Sequence, residues 1–307
     1  MKIVCVGPGA MGCLFGASLS RAGHEVSLLD YKEQRAALIN KSGIRVESPE
    51  GNFSQRVPVD THLRLKGVDL VLICVKAGKT AEVARQLAGV IDNHTLVLSL
   101  QNGVGNVETL ASALGEHRVL GGVTSEGATV LGPGHIRHAG KGQTFLGPLT
   151  GNPQSIPAIV SAFNEAGFET RSSHNVQGLI WGKLIVNVGI NALTAITHLR
   201  NGVLPELQET KSLMELAVAE AVEVARVKGI DLPYEDPPLK VIDVCKATAA
   251  NVASMLQDVL NRRPTEVDFI NGAIVREAKA LGISAPVNHT LTQLVKAIEK
   301  SYQLQVG

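Results

Sequence analysis

Lys183, Asn187 and Asn191 recur at intervals of four in WGKLIVNVGINALTAITHLRNG, with Asn201 just beyond. That spacing sets the three on one stripe of a helix, while Leu184, Ile185, Val186, Val188 and Ile190 cover the rest of its circumference. A helix so apolar is expected to be buried. One Lys or Asn on a helix is usually a solvated surface residue or a satisfied core group. An ammonium and two carboxamides in register are harder to explain that way, because leaving a carboxamide unpaired costs roughly 1–3 kcal/mol. The stripe therefore predicts a cleft that takes a small polar ligand carrying oxygen atoms.

A second chemistry-bearing pattern lies at the amino terminus. Gly7, Gly9 and Gly12 form GxGxxG, with Pro8, Ala10 and Met11 between them, directly after the apolar run Lys2–Val6 and at the start of a helical pattern. Such glycines permit a tight turn and let backbone amides approach a pyrophosphate at the positive helix N-terminus. A dinucleotide site is expected there. Asp30 follows Gly12 by 18 positions at the end of the second strand, where an acid accepts hydrogen bonds from the adenosine ribose, favours NAD and repels the 2′-phosphate of NADP. Lys32 or Lys76 would offset that repulsion, and a strand-end turn is the alternative role for Asp30.

Two further segments complete the constellation. LSLQNGVG places Gln101 and Asn102 at the carboxyl end of a strand, the edge where ligands of open α/β sheets bind. NVASMLQDVLNRRPTEVDFING carries Ser254 and Glu266, and on spacing alone Ser254 is equally a cap or surface residue and Glu266 a first-turn acid.

The elements that must position these residues alternate through the first half. Strand-like runs at Lys2–Val6, Glu25–Leu29, Asp69–Val75 and Thr95–Leu100 are interleaved with helix-like Ala10–Ala22, Thr80–Leu87 and Val107–Leu114. The alternation predicts an α/β fold, a mainly parallel doubly wound sheet of Rossmann type covered by helices. Within the glycine-rich stretch 116–147, GHIRHAGKGQTFLG reads as strands joined by a tight turn, and the β signal ends after Phe168–Arg171. From Asn175 the pattern is nearly all helical, strongest at Lys211–Val227, Val244–Asn261 and Thr265–Leu281, with Pro233, Pro237 and Pro238 marking a loop. The division expected is a dinucleotide-binding domain over 1–173 and an all-α domain over 174–307.

Composition narrows the function class. A chain of 307 residues, 45% hydrophobic and 19% charged, is long enough for two cores. A formal net charge of +1 and 3% aromatic residues give no case for nucleic acid or a membrane surface, so the expected partner is a small molecule. The amino terminus has no secretory hydrophobic stretch, and no uninterrupted apolar segment reaches membrane-spanning length. Cys5, Cys13, Cys74 and Cys245 are scattered without a CxxC pair and read as buried thiols of a reducing cytoplasm. The histidines form no HxxxH or HExxH group, so no metal is expected. The absence of a heptad pattern leaves monomer and homodimer open.

The whole chain resembles the ketopantoate reductase (2-dehydropantoate 2-reductase) family. The likeness rests on GPGAMG at 7–12, VKAGKT at 75–80, QNG at 101–103, WGKLIVNVGINALTAI at 181–196, Asn201-Gly202 and SMLQDVLNRRPTEVDFING at 254–272. The resemblance implies a Rossmann domain followed by an all-helical one, and NADPH-dependent reduction of ketopantoate to (R)-pantoate on the way to pantothenate and coenzyme A. By position it implies Lys183 as general acid, and Asn187, Asn191, Asn201 and Ser254 as contacts to the 2-keto acid. Asn102 would touch nicotinamide and substrate, and Lys76, Ala128 and Glu266 the cofactor, with Glu266 also close to the reacting centre. The chain departs from the NADP pattern at Asp30-Tyr31-Lys32, where relatives that prefer NADP usually carry a basic residue; NAD is the alternative cofactor. The rival activities are an NAD-dependent D-2-hydroxyacid dehydrogenase acting on another branched or aromatic 2-keto acid, and a non-catalytic nucleotide sensor. The intact Lys183, Asn187, Asn191, Ser254 and Glu266 set speaks against the sensor.

Overall fold

The structure is a computed structural model that describes residues 1–63, 65–151 and 153–304. By contacts the chain forms two compact units: Met1–Gln101 with Asn106–Val176, and Asn102–Gly105 with the chain from Gln177 onward.

The first unit contains β1 (Lys2–Val6), α1 (Ala10–Arg21), β2 (Glu25–Leu29), α2 (Glu33–Ser42), β3 (Ile44–Glu47), β4 (Phe53–Gln55), β5 (Val59–Asp60) and β6 (Leu70–Ile73). It continues through α3 (Thr80–Leu87), β7 (Leu96–Ser99), α4 (Asn106–Leu114), β8 (Val119–Thr124), β9 (Gly127–Gly132), β10 (His135–Gly140), β11 (Thr144–Pro148), α5 (Ile156–Glu165) and β12 (Thr170–Ser172). The main sheet runs β12-β11-β8-β7-β6-β1-β2-β5, and every pairing from β5 to β8 is parallel. Every residue of β6 (LVLI) and β7 (LVLS) is buried, as strands covered on both faces must be. Chain order reverses across the β1–β6 pair, because β2 lies on one side of β1 and β6 on the other. That switch point opens a crevice above the carboxyl ends of β1 and β6. Beneath the sheet, Phe15, Phe163 and Phe168 pack ring to ring with centroids 4.9–6.0 Å apart.

A smaller sheet, β4-β3-β10-β9, packs against α1. Here the expected strand pair over GHIRHAGKGQTFLG is corrected. Both strands exist, but β10 pairs with β9 and β3 while β11 pairs with β8 and β12, in different sheets. Two neighbours already occupy both edges of β10, so Lys141–Gln143 links the sheets instead of closing a hairpin. The tight turn lies earlier, between β9 and β10, where Gly134 has φ +67°.

The second unit holds α6 (Val176–Thr197), α7 (Gln208–Val227), α8 (Pro237–Ala247), α9 (Ser254–Leu260), α10 (Asn271–Ala280) and α11 (Pro286–Ser301). By length and hydropathy α6 reaches membrane-spanning dimensions, although no uninterrupted apolar run in the sequence does, and 72% of its most apolar window is buried inside the molecule. It is a core helix. A Cβ at Gly189 would lie 2.8 Å from Val241 Cγ1 and 3.0 Å from Val218 Cγ2, so glycine is what lets α8 and α7 close on α6 there.

Three helical expectations change. The single helix over Val244–Asn261 is two, α8 and α9, separated by 248–253. The Thr248 hydroxyl donates to Val244 O (2.7 Å), while the amides of Asn201 and Gly202 donate to Asn251 O and Ala249 O (both 3.2 Å) and draw the segment out of helical geometry. Pro237 and Pro238 do not mark a loop but open α8, where Asp236 Oδ1 caps by accepting from Leu239 N at 2.9 Å. Over Thr265–Leu281 a 3₁₀ turn, Val267–Phe269, precedes α10, since Ile270 (φ −112°, ψ −96°) interrupts the helix.

The N-terminus of α11 is capped from another helix. Glu220 on α7 accepts from Val287 N (2.8 Å), Asn288 N (2.9 Å) and Asn288 Nδ2 (2.7 Å), where Ala285 as N-cap offers no side chain. Glu220→Ala should cost about 2–3 kcal/mol of unfolding free energy in urea titration, because three donors lose a charged acceptor. A loss below about 0.5 kcal/mol would show that solvent replaces the carboxylate.

Candidate active site

The glycine loop is shaped by contacts that exclude side chains. Gly7 has φ +102°, and a Cβ on it would meet Val75 Cγ1 at 2.8 Å and Val75 N at 3.0 Å; one on Gly12 would meet Gly7 O at 2.0 Å. Gly9 differs, with open space where its Cβ would stand, and it begins α1 without a side-chain cap. A close-packed turn that presents a bare helix N-terminus to open space fits a pyrophosphate. Pro8 is buried beneath the turn, its carbonyl accepting from the Cys13 thiol at 3.5 Å, while Ala10 and Met11 form the partly exposed first turn of α1. Lys76 is exposed just beyond β6. Ala128 lies on β9 in register with His138, in the smaller sheet against α1.

Asp30 is where the sequence picture shifts most. It lies at the end of β2 as expected, but it is 0% exposed. Arg35 Nε donates to its Oδ2 at 2.5 Å, and Arg35 Nη2 and Lys32 N donate to Oδ1 at 2.6 and 3.0 Å. An open acid waiting for a ribose is replaced by a buried carboxylate paired with a guanidinium. The Asp30 hydrogen bond is also the main cause that raises the Arg35 pKa. Sequence reading passed over Arg35, although a cation in the first turn of the helix after an acidic strand end is the signal that exposes such a pair.

In the second unit Lys183, Asn187 and Asn191 line one stripe of α6, Asn191 buried and the other two partly so. Burial of the ammonium lowers the Lys183 pKa from 10.5 to about 8, and the Glu266 carboxylate opposes the shift. Glu266, just before the 3₁₀ turn, also accepts from Asn102 Nδ2 at 3.4 Å. That approach depends on Gly103, which has φ +83° and whose Cβ would fall 2.2 Å from Phe269 O, and on Val104 N, which donates to the same carbonyl at 3.3 Å. Lys183, Glu266 and Asn102 therefore form one electrostatic group.

Asn201 and Ser254 are joined through the 248–253 segment. Asn201 Nδ2 donates to Thr248 Oγ1 at 2.9 Å, and Ser254 is exposed at the first position of α9. Among the described residues Asn201 Oδ1 is buried without a hydrogen-bond partner, an acceptor suited to a ligand hydroxyl. Tyr234, which sequence reading also missed, donates its hydroxyl to Gly182 O at 2.6 Å, one residue before Lys183.

Residues 3–151 match the family described as Ketopantoate reductase PanE/ApbA, and residues 175–299 match its C-terminal counterpart, Ketopantoate reductase PanE/ApbA C terminal. The chain belongs to the ketopantoate reductase family. It is an oxidoreductase. A 2-dehydropantoate 2-reductase of Halobacterium salinarum is 36% identical over 98% of this chain and 99% of its own length. Among solved structures, a PanE/ApbA family ketopantoate reductase from Ralstonia eutropha JMP134 superposes with TM-score 0.91 at 36% identity, covering 99% of this chain and 100% of that one. D-mandelate dehydrogenase with NADH and anilino(oxo)acetate gives TM-score 0.90 at 28% identity, over 99% and 100% of the two chains.

Within this family member, Gly103→Ala should lower kcat/KM by at least about tenfold, since an added Cβ must push the Asn102 segment off Phe269 O and strain a left-handed residue. Unchanged steady-state kinetics would show that the Asn102–Glu266 approach is not required.

Proposed function

We propose that the protein reduces ketopantoate to (R)-pantoate with NADPH, and that Lys183 is the general acid. The observation that carries this reading is the Lys183 ammonium, drawn down to about 8 by burial yet still facing the Glu266 carboxylate. The glycine loop and the N-terminus of α1 would hold the dinucleotide, with Lys76 and Ala128 as further contacts. When bound, the nicotinamide supplies a hydride to the keto carbon. The keto oxygen then gains negative charge, which the Lys183 ammonium stabilises and neutralises by donating its proton. Glu266 keeps the ammonium charged, and Asn102 orients the carbonyl. Asn187, Asn191 and Ser254 bind the carboxylate, and Asn201 Oδ1 accepts from the substrate hydroxyl.

For the cofactor, the Asp30 charge is matched by Arg35, and the exposed Lys32 and Lys76 are cations that a 2′-phosphate could engage, with the exposed Glu33 beside Lys32. The four cysteines form no disulfide, which accords with a reducing cytoplasm. The second reading, an NAD-dependent D-2-hydroxyacid dehydrogenase, draws on the D-mandelate dehydrogenase likeness. Steady-state assays of ketopantoate and a panel of branched and aromatic 2-keto acids, each with NADPH and NADH, separate the two; a preference for an aromatic acid with NADH would select the second, and inertness toward every acid would restore the sensor.

Lys183→Met should keep cofactor binding but lose about two orders of magnitude or more in turnover. Because the acid must be protonated to act, kcat/KM for reduction should fall as pH rises through about 8, and the variant should lack that limb. Near-normal turnover of the variant would remove Lys183 from the role. Arg35→Gln should cut the NADPH-to-NADH ratio of kcat/KM by roughly tenfold, because it uncovers the Asp30 charge; an unchanged ratio would show that the pair lies outside the nucleotide's reach.

A further inference from the structure

Gln101 closes the β7 side of a buried polar knot at the carboxyl ends of β6 and β7. Its Nε2 donates to Val75 O at 2.7 Å and to Thr80 Oγ1 at 2.9 Å, and its Oε1 accepts from Ser99 Oγ at 2.9 Å. Thr80 Oγ1 in turn donates to Asn106 Oδ1 at 2.8 Å. Ser99, Thr80 and Asn106 are buried, at 1%, 2% and 1% exposure, so solvent cannot substitute for a lost partner. The carboxamide has one allowed orientation, because Val75 O can only accept. With that fixed, both amide hydrogens of Gln101 and the single hydroxyl hydrogens of Ser99 and Thr80 are all placed, and the network has a defined direction.

The knot ends on the glycine loop. Val75, whose carbonyl Gln101 holds, is the residue against which Gly7 packs: the missing Cβ of Gly7 would lie 2.8 Å from Val75 Cγ1 and 3.0 Å from Val75 N. The missing Cβ of Gly12 would lie 3.1 Å from the neighbouring Cys74 Cβ. Residues 74 and 75 are thus the floor on which the GxGxxG turn rests, and they also launch Lys76. The amide of Gly7 is fixed from the other side by Leu29 O at 2.9 Å. A turn this tight has no slack, so a shift of the Val75 peptide passes to the backbone that cradles a pyrophosphate.

We propose that Gln101 is a positioning residue for the dinucleotide, acting through Val75 on the glycine turn and on Lys76 rather than by touching the cofactor. The inference rests on the nucleotide-dependent reading above. Gln101→Glu keeps the size of the side chain but replaces two donors with acceptors, so the Val75 carbonyl loses its partner and faces a carboxylate. Thr80→Val removes the neighbouring hydroxyl at nearly constant volume, and Thr80→Ser restores it.

The test is the dissociation constant of NADPH, measured by calorimetric titration of the folded full-length chain, beside kcat and the KM values. Gln101→Glu should weaken NADPH binding about tenfold and raise the KM for NADPH in step, with kcat and the KM of the keto acid within about twofold of the parent. Thr80→Val should show a smaller loss in the same direction, and Thr80→Ser should bind like the parent. If Gln101→Glu fails to fold, the Thr80 pair carries the decision alone. Equal NADPH binding by Thr80→Val and the parent, or lowered thermal stability with an unchanged dissociation constant in either variant, overturns the proposal. A parent chain that binds NADPH but reduces no keto acid leaves the positioning role standing and rejects the catalytic reading; a parent that binds no dinucleotide rejects both.

Discussion

The electrostatics of the helical unit turn on the field at one ammonium. Lys183 sits on α6, which must be buried because Leu184, Ile185, Val188 and Ile190 leave it no polar face large enough for water. Burial alone disfavours the charged form and pulls the pKa down. Burial left unopposed favours the neutral amine, which can accept a proton but not give one. Glu266 restores part of the preference for charge and holds the group at about 8, where it is protonated at neutral pH yet gives up its proton more readily than a solvated lysine. Desolvation and the Glu266 carboxylate thus act on the ammonium in opposite directions.

Glu266 must therefore be held accurately, and no regular element does this. The carboxylate precedes a short 3₁₀ turn whose last carbonyl, Phe269 O, accepts from Val104 N. Segments more than 160 residues apart in sequence, as the Asn102–Glu266 separation of 164 records, meet through main-chain contact close enough to require glycine at 103. Backbone fixes the placement here, and side chains exploit it. The first unit follows the same rule at Gly7 and Gly12, where the missing side chains define the turn and Val75 supports it.

What could be read from sequence divides along this line. The stripe of Lys183, Asn187 and Asn191 was legible because helical period fixes a face without knowledge of neighbours. GxGxxG was legible because its position between strand and helix is local. The separation of α8 from α9 was not, since local propensity over Val244–Asn261 favours helix and what opposes it is Asn201 and Gly202, some fifty residues away, capturing the carbonyls of Asn251 and Ala249. The separation of β10 from β11 failed for a related reason: a run of alternating residues shows that a strand forms, while its partner depends on which edges are already taken.

Asp30 shows how a correct position can carry an incomplete meaning. An acid at that strand end is read as a ribose acceptor because, in isolation, a carboxylate there would be solvated and charged. With no exposed surface, it needs a counter-charge, since an unpaired buried carboxylate is far costlier than an exposed one. Arg35 answers that need from the first turn of α2, while keeping 30% of its own side-chain surface exposed. The same two residues thus present a neutral pair rather than an acid, with the exposed Lys32 and Glu33 beside them. Cofactor preference at such a strand end follows from the sum of charges that remain uncompensated, and a single letter at the expected position does not report that sum.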